Sequence, residues 1–125
     1  MITAVHTLVY AEDAERARAF FRDVLGWPFV DAGGGWLIFR TGPSELGVHP
    51  TVSVWEGKEY RSPRQHTVSF MCDDLETTIS DLTAKGATFA SGPQDEGYGI
   101  TAMVEVPGAD PIMIYQPRHL IAYDR

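Results

Sequence analysis

His6-Thr7-Leu8-Val9-Tyr10 returns sixty residues later as His66-Thr67-Val68-Ser69-Phe70, and the meaning of that echo decides the fold. With the offset held, Asp13 pairs with Asp73, Gly26 with Gly86 and Phe29 with Phe89, so five of the 24 positions from 6 to 29 are identical. Chance would give about one or two at ordinary residue frequencies. Each copy opens on an apolar run, meets an acidic N-cap signal, continues at helical spacing and stops at a glycine. A period this long fits no helical or blade array, and two copies are too few for a stacked solenoid. The pair is therefore expected to close on itself around a cavity.

Working outward, residues 2 to 10 place Ala4, His6, Leu8 and Tyr10 on one face and Val5, Thr7 and Val9 on the other, as in a strand buried on both sides. From 13 to 26, Ala14, Ala17, Phe20, Phe21, Val24 and Leu25 form an apolar stripe opposite Glu15, Arg16, Arg18, Arg22 and Asp23, which predicts a helix laid on a sheet. Gly26 supplies its left-handed stop. A short strand at Trp27-Pro28-Phe29-Val30, a turn at Gly33-Gly34-Gly35 and strand-like runs at 36 to 41 and 45 to 49 follow. The second copy has a strand at 66 to 72, a capping pattern at Asp73-Asp74-Leu75-Glu76 and a helical stripe of Leu75, Ile79 and Leu82 ending near Gly86. Runs at 87 to 90, 101 to 106 and 111 to 116 complete it, so each half reads β-α-β-β-β within an α+β chain. One domain is expected: module one over 1–50, a linker over 51–65 with a short strand around 52 to 55, module two over 66–117, and a tail over 118–125. The linker could act as a lid, and 92 to 99 forms a second long loop without the strand-to-helix setting of a nucleotide fingerprint.

Composition narrows the function classes. Hydrophobic residues make up 44% and charged residues 22% of the 125, a globular mixture. The net charge of −7 argues against nucleic acid and anionic membrane, both of which need clustered Lys and Arg, and points to a small-molecule partner. No run is long enough to span a membrane and the start has no secretory pattern, so a cytoplasmic location is expected. Cys72, the lone cysteine, sits in an apolar run and reads as a buried, inert thiol.

Together, Val5-His6-Thr7, Phe20-Phe21-Arg22-Asp23-Val24-Leu25-Gly26-Trp27, His66 and Asp110-Pro111-Ile112-Met113-Ile114-Tyr115-Gln116-Pro117 resemble the vicinal oxygen chelate superfamily. That group includes glyoxalase I, the bleomycin-resistance proteins, fosfomycin-resistance enzymes and extradiol dioxygenases. The resemblance covers nearly the whole chain and is far more specific for fold than for activity. It implies two tandem βαβββ modules forming a cupped mixed sheet around one cavity (the glyoxalase/bleomycin resistance/dihydroxybiphenyl dioxygenase-like fold), and a homodimer. In metal-dependent members it also implies a divalent ion held by the first and last strand of each module. Carried over by position, His6 and His66 are first-strand ligands, and either Gly47 or His49 takes the next place. Gly47 and His49 share a face, so His49 points inward in either case. Where relatives carry a final glutamate, this chain has Met113.

That departure has chemical weight. A thioether is neutral and soft, a poor partner for Mg, Mn or Fe(II), whereas three neutral imidazoles still suit Zn(II) with an open position. Two functional readings stand. In the first, His6, His49 and His66 hold a divalent metal (Zn, Ni, Mn or Fe) that acts on vicinal oxygens of a small metabolite, with Tyr115 or Glu105 as proton carrier. Glu45 is the other carboxylate near the cavity strands. In the second, a cavity lined by Tyr10, Phe39, Phe70 and Met113 sequesters an apolar or aromatic compound such as an antibiotic, with no metal. His119 and the tail are expected to cover an edge or reach a partner subunit.

Overall fold

The computed structural model describes residues 7–9, 11–45, 47–48 and 50–124. His6, Tyr10 and His49 therefore lie outside the described residues.

Helix α1 (Ala14–Ala19) starts where Asp13 Oδ1 accepts the backbone N–H of Arg16 at 3.1 Å. It does not run on as one regular helix to Gly26. Over Phe20–Val24 the winding loosens to π geometry, with Leu25 N–H donating to the carbonyl of Phe20 at 3.2 Å. Consecutive Phe20 and Phe21 are both buried, at 6% and 8% exposure. Gly26 and its repeat equivalent Gly86 both take positive φ, +70° and +99°, where the helices stop.

Strands β1 (Phe29–Asp31) and β2 (Leu37–Phe39) form a hairpin. Its turn uses the predicted glycines at φ +125°, +62° and +86°, and Asp31 Oδ1 accepts from the N–H groups of Gly33 and Gly35. The expected linker carries a hairpin instead of one strand: β3 (Val52–Trp55) pairs with β4 (Lys58–Arg61) around Glu56 and Gly57, both at positive φ. Residues 7–9 form no strand and are exposed, and 45, 47 and 48 are likewise outside any strand, contrary to the alternation there.

The second half is a complete sheet. Strands β5 (Ser69–Met71), β6 (Phe89–Asp95), β7 (Gly99–Val104) and β8 (Ile112–Pro117) lie in the order β5-β8-β7-β6, with β5 parallel to β8 and the other pairs antiparallel. Helix α2 (Leu75–Ala84) crosses from β5 to β6. Asp74 Oδ1 caps it through Thr77 N–H, and Leu75 N–H donates to the Gln116 side chain at 2.9 Å, fastening the helix start to β8. The expected loop from 92 begins four residues late. Register shifts between Phe89, Ser91 and Gln94 absorb Gly92 and Pro93 within β6, and pairing continues to Asp95.

The core joins Leu75, Ala87, Ala102, Val104, Val106, Ile112 and Ile114 of the second half to Ala17, Phe20 and Phe21 of the first. Each fully buried large apolar side chain contributes about 1.5–3 kcal/mol. Phe21 is the joint: it stacks on Trp27 at 5.6 Å and meets Phe39 at 5.7 Å, while Trp27 meets Phe70 edge-on at 5.0 Å. Glu12 N–H donates to the Gly108 carbonyl, holding the α1 entry against the β7–β8 turn.

Register assigns the two faces of the sheet, because directly paired residues point the same way. Phe70 and Ala102 pair with Ile114, and Val104 with Ile112, on the face packed against the helices. Ser69 and Met103 pair with Met113, and Met71 and Thr101 with Tyr115, on the outer face. Phe70 and Met113, expected to line one cavity, therefore lie on opposite sides of the sheet.

Candidate functional site

The outer face gathers the chemistry. β8 alternates Ile112 and Ile114 inward with Met113 and Tyr115 outward, a consequence of strand pleating. Tyr98, in the β6–β7 turn, leans over this strand: its ring stands 6.2 Å from that of Tyr115 at 72°, and its hydroxyl donates to Met113 Sδ at 3.6 Å. Beyond β8, Arg118 clamps Asp95 through two N–H···O contacts of 2.6 and 2.7 Å and also donates to the Gly97 carbonyl. That clamp ties the tail to the β6–β7 turn.

The chain then brings His119 back over Tyr115, ring centroids 6.3 Å apart. His119 Nε2 lies 3.4 Å from the Tyr115 hydroxyl and 3.7 Å from Glu45 Oε1. Nδ1 is 2.8 Å from the Leu120 carbonyl, which has no proton to give, so that nitrogen carries one. Glu45 Oε2 accepts the N–H of Ala122, and the Glu45 side chain is only 12% exposed. Burial pushes the Tyr115 hydroxyl above its ordinary pKa, with the charge of Glu45 and then Tyr98 adding to the rise. Burial likewise raises Tyr98, and Glu96 contributes. Both phenols keep their protons at neutral pH and serve as donors.

The structure places Tyr115 beside Glu45 and not beside Glu105. Glu105 follows β7, donates its N–H to Thr88 and shares a shallow groove with Arg16, Phe20 and Thr88 on the side of α1. Phe39 and Phe70 belong to the aromatic cluster around Phe21 and Trp27. His66 is exposed in the segment before β5. Burial pushes the Cys72 thiol up, against the opposing pull of its hydrogen bond with Thr78.

Among the described residues, no three His, Cys, Asp or Glu side chains converge to hold a metal ion. Met113 Sδ is engaged by Tyr98, and the Glu45 carboxylate by Ala122 and His119. The described donors do not fit a metal centre, and His6 and His49 lie outside them. The sequence reading missed the pairing of Glu45 with the tail because it spans 77 residues and no local pattern encodes it. The only hint was Tyr115 and His119 four apart across Pro117.

Comparison with known proteins identifies the family and the fold. The family model of the Glyoxalase/Bleomycin resistance protein/Dioxygenase superfamily matches residues 3–114. Among curated proteins none matches the chain significantly. Among solved structures, the chain is similar to TnmS3, an antibiotic binding protein from Streptomyces sp. CB03234, at 21% identity and TM-score 0.62, covering 93% of this chain and 97% of that one. It is also similar to a lactoylglutathione lyase from Agrobacterium tumefaciens, at 19% identity and TM-score 0.62, covering 93% and 95%. Among the described residues no helix is long and apolar enough to cross a membrane.

Proposed function

Because the chain belongs to the Glyoxalase/Bleomycin resistance protein/Dioxygenase superfamily, we propose that it binds a small organic molecule, apolar or aromatic, on the outer face of β5, β7 and β8 without a metal. The observation that carries this reading is Met113 under the Tyr98 hydroxyl, flanked by Met103 and Tyr115. Two thioethers and two phenol rings make a polarisable, adaptable surface suited to a flat ligand. The fold-level likeness to an antibiotic binding protein agrees with this reading.

A second reading keeps His6, His49 and His66 as ligands of a divalent ion, Zn, Ni, Mn or Fe. It rests on the repeat that makes His6 and His66 equivalents. One experiment separates the two: thermal denaturation with a panel of aromatic compounds, with and without chelator, paired with elemental analysis of untagged protein. The binding reading expects stabilisation of about 2.7 kcal/mol at a ligand concentration one hundred times Kd, unchanged by chelator, with the compound recovered intact. Met113→Glu should weaken that binding by about tenfold or more, because it buries a carboxylate under the ligand. Stoichiometric metal lost on His66→Ala, or converted product, would move the assignment to the metal reading.

A further inference from the structure

On the outer face, the apolar floor of Met103, Met113 and Tyr98 ends at a polar edge formed by Tyr115, His119 and Glu45. The state of His119 governs what that edge can recognise. With Nδ1–H committed to the Leu120 carbonyl, Nε2 of a neutral ring is an acceptor, 3.4 Å from the Tyr115 hydroxyl and 3.7 Å from Glu45 Oε1. Adding a proton turns the same nitrogen into a donor facing a carboxylate. Glu45 is held in place by Ala122 N–H and is largely buried, so a fixed carboxylate oxygen stands beside Nε2. The groups facing His119 are Tyr115 on β8, Glu45 from the segment before β3 and the Leu120 carbonyl; Tyr98 faces Tyr115, and neighbouring Arg118 is committed to Asp95. Tyr115 keeps its proton and remains a donor beside Nε2.

We propose that this edge anchors a planar compound bearing an acidic hydroxyl, a phenol or enol, whose oxygen sits against both His119 Nε2 and the Tyr115 hydroxyl, which stand 3.4 Å apart. This rests on the binding reading above. On docking, the ligand O–H bond breaks and an N–H bond forms at Nε2. The electron pair stays on the ligand oxygen, which then accepts from Nε2–H and from the Tyr115 O–H. The proton moves from ligand to ring within the complex, so the net charge is unchanged, and the Glu45 carboxylate lies beside the imidazolium. A chain carrying −7 repels ligands that arrive as anions, which favours one that arrives neutral and ionises in place.

The test compares para-nitrophenol with para-nitrotoluene, which share a ring and differ by hydroxyl against methyl; the first absorbs in the visible only when ionised. The expected result is para-nitrophenol binding about tenfold tighter, in line with one charge-assisted hydrogen bond. The bound dye should show phenolate absorption at a pH where the free dye is mostly un-ionised. His119→Gln and Glu45→Gln should abolish both the preference and the phenolate band, bringing para-nitrophenol down to the affinity of para-nitrotoluene measured on the same variant. Tyr115→Phe should weaken the band and keep the preference in part. Equal affinity for the two compounds, or a phenolate band that survives His119→Gln, overturns the anchor and leaves the binding reading intact. Binding of neither compound overturns both.

Discussion

Phe29 and Phe89 are repeat equivalents, yet Phe29 is 44% exposed on a two-stranded hairpin, while Phe89 opens a strand of the four-stranded sheet and packs against the core. The contrast extends across the halves. Among the described residues, the two largest fully buried side chains, Leu75 and Val104, belong to the second half. The hairpins of the first half and the inter-module segment leave Val30, Trp36, Val54 and Trp55 more than half exposed. Helix α1, although part of the first half, buries Ala17, Phe20 and Phe21 in the core built on the sheet of the second. A two-stranded hairpin is marginal alone, so β1–β2 depends on Phe39 reaching Phe21. Sequence repetition is therefore not matched by equal burial in the two halves.

The largest effect should come from Leu75→Ala, which opens a cavity beneath α2. A loss of about 3 kcal/mol is expected, lowering Tm by about 10 °C in thermal denaturation. A loss below about 1 kcal/mol would break the contrast by showing that the second-half sheet does not dominate stability. Trp55→Ser should leave Tm nearly unchanged at low concentration and act on association instead. We expect a homodimer that uses the face of the β3–β4 hairpin on which exposed Trp55 and Tyr60 lie, and weakening of about tenfold in sedimentation equilibrium on losing the tryptophan. A monomer at every concentration would show that this surface serves something other than a second copy.

The smallest effect concerns Asp95, whose carboxyl Arg118 holds well below the usual range, with the Gly97 N–H assisting. A depressed folded value adds stability above the unfolded pKa of about 4, and that contribution fades as pH falls toward the folded value. Asp95→Asn should thus lower Tm slightly at neutral pH, with the gap to wild type closing on acidification below about pH 4. Both groups are exposed, so added salt should close the same gap.

Much of the second half was legible in the residues. Asp74 capping α2, Gly86 ending it, and the alternation of Met113 and Tyr115 against Ile112 and Ile114 all follow from spacing over a few positions. The glycine turn with Asp31 was legible for the same reason, since a run of three glycines announces positive φ. Less was legible around β6, where pairing with β7 carries the chain through Gly92 and Pro93, a signal that locally reads as a turn. Phe70 was misplaced because its face depends on whether Ser69 or Phe70 pairs with Met113, and that register is a cross-strand choice.

By itself the sequence determined the α+β class, the helix caps and stops and the family, because each is written in periodicity and in short motifs that act locally. Only the tertiary structure decided which half holds the core, which face of the sheet carries Met113 and Tyr115, and that Glu45 meets His119 beside them. Those outcomes depend on strand register and on contacts between residues far apart in the chain, where the energies of packing and pairing select one arrangement among many that the local pattern allows.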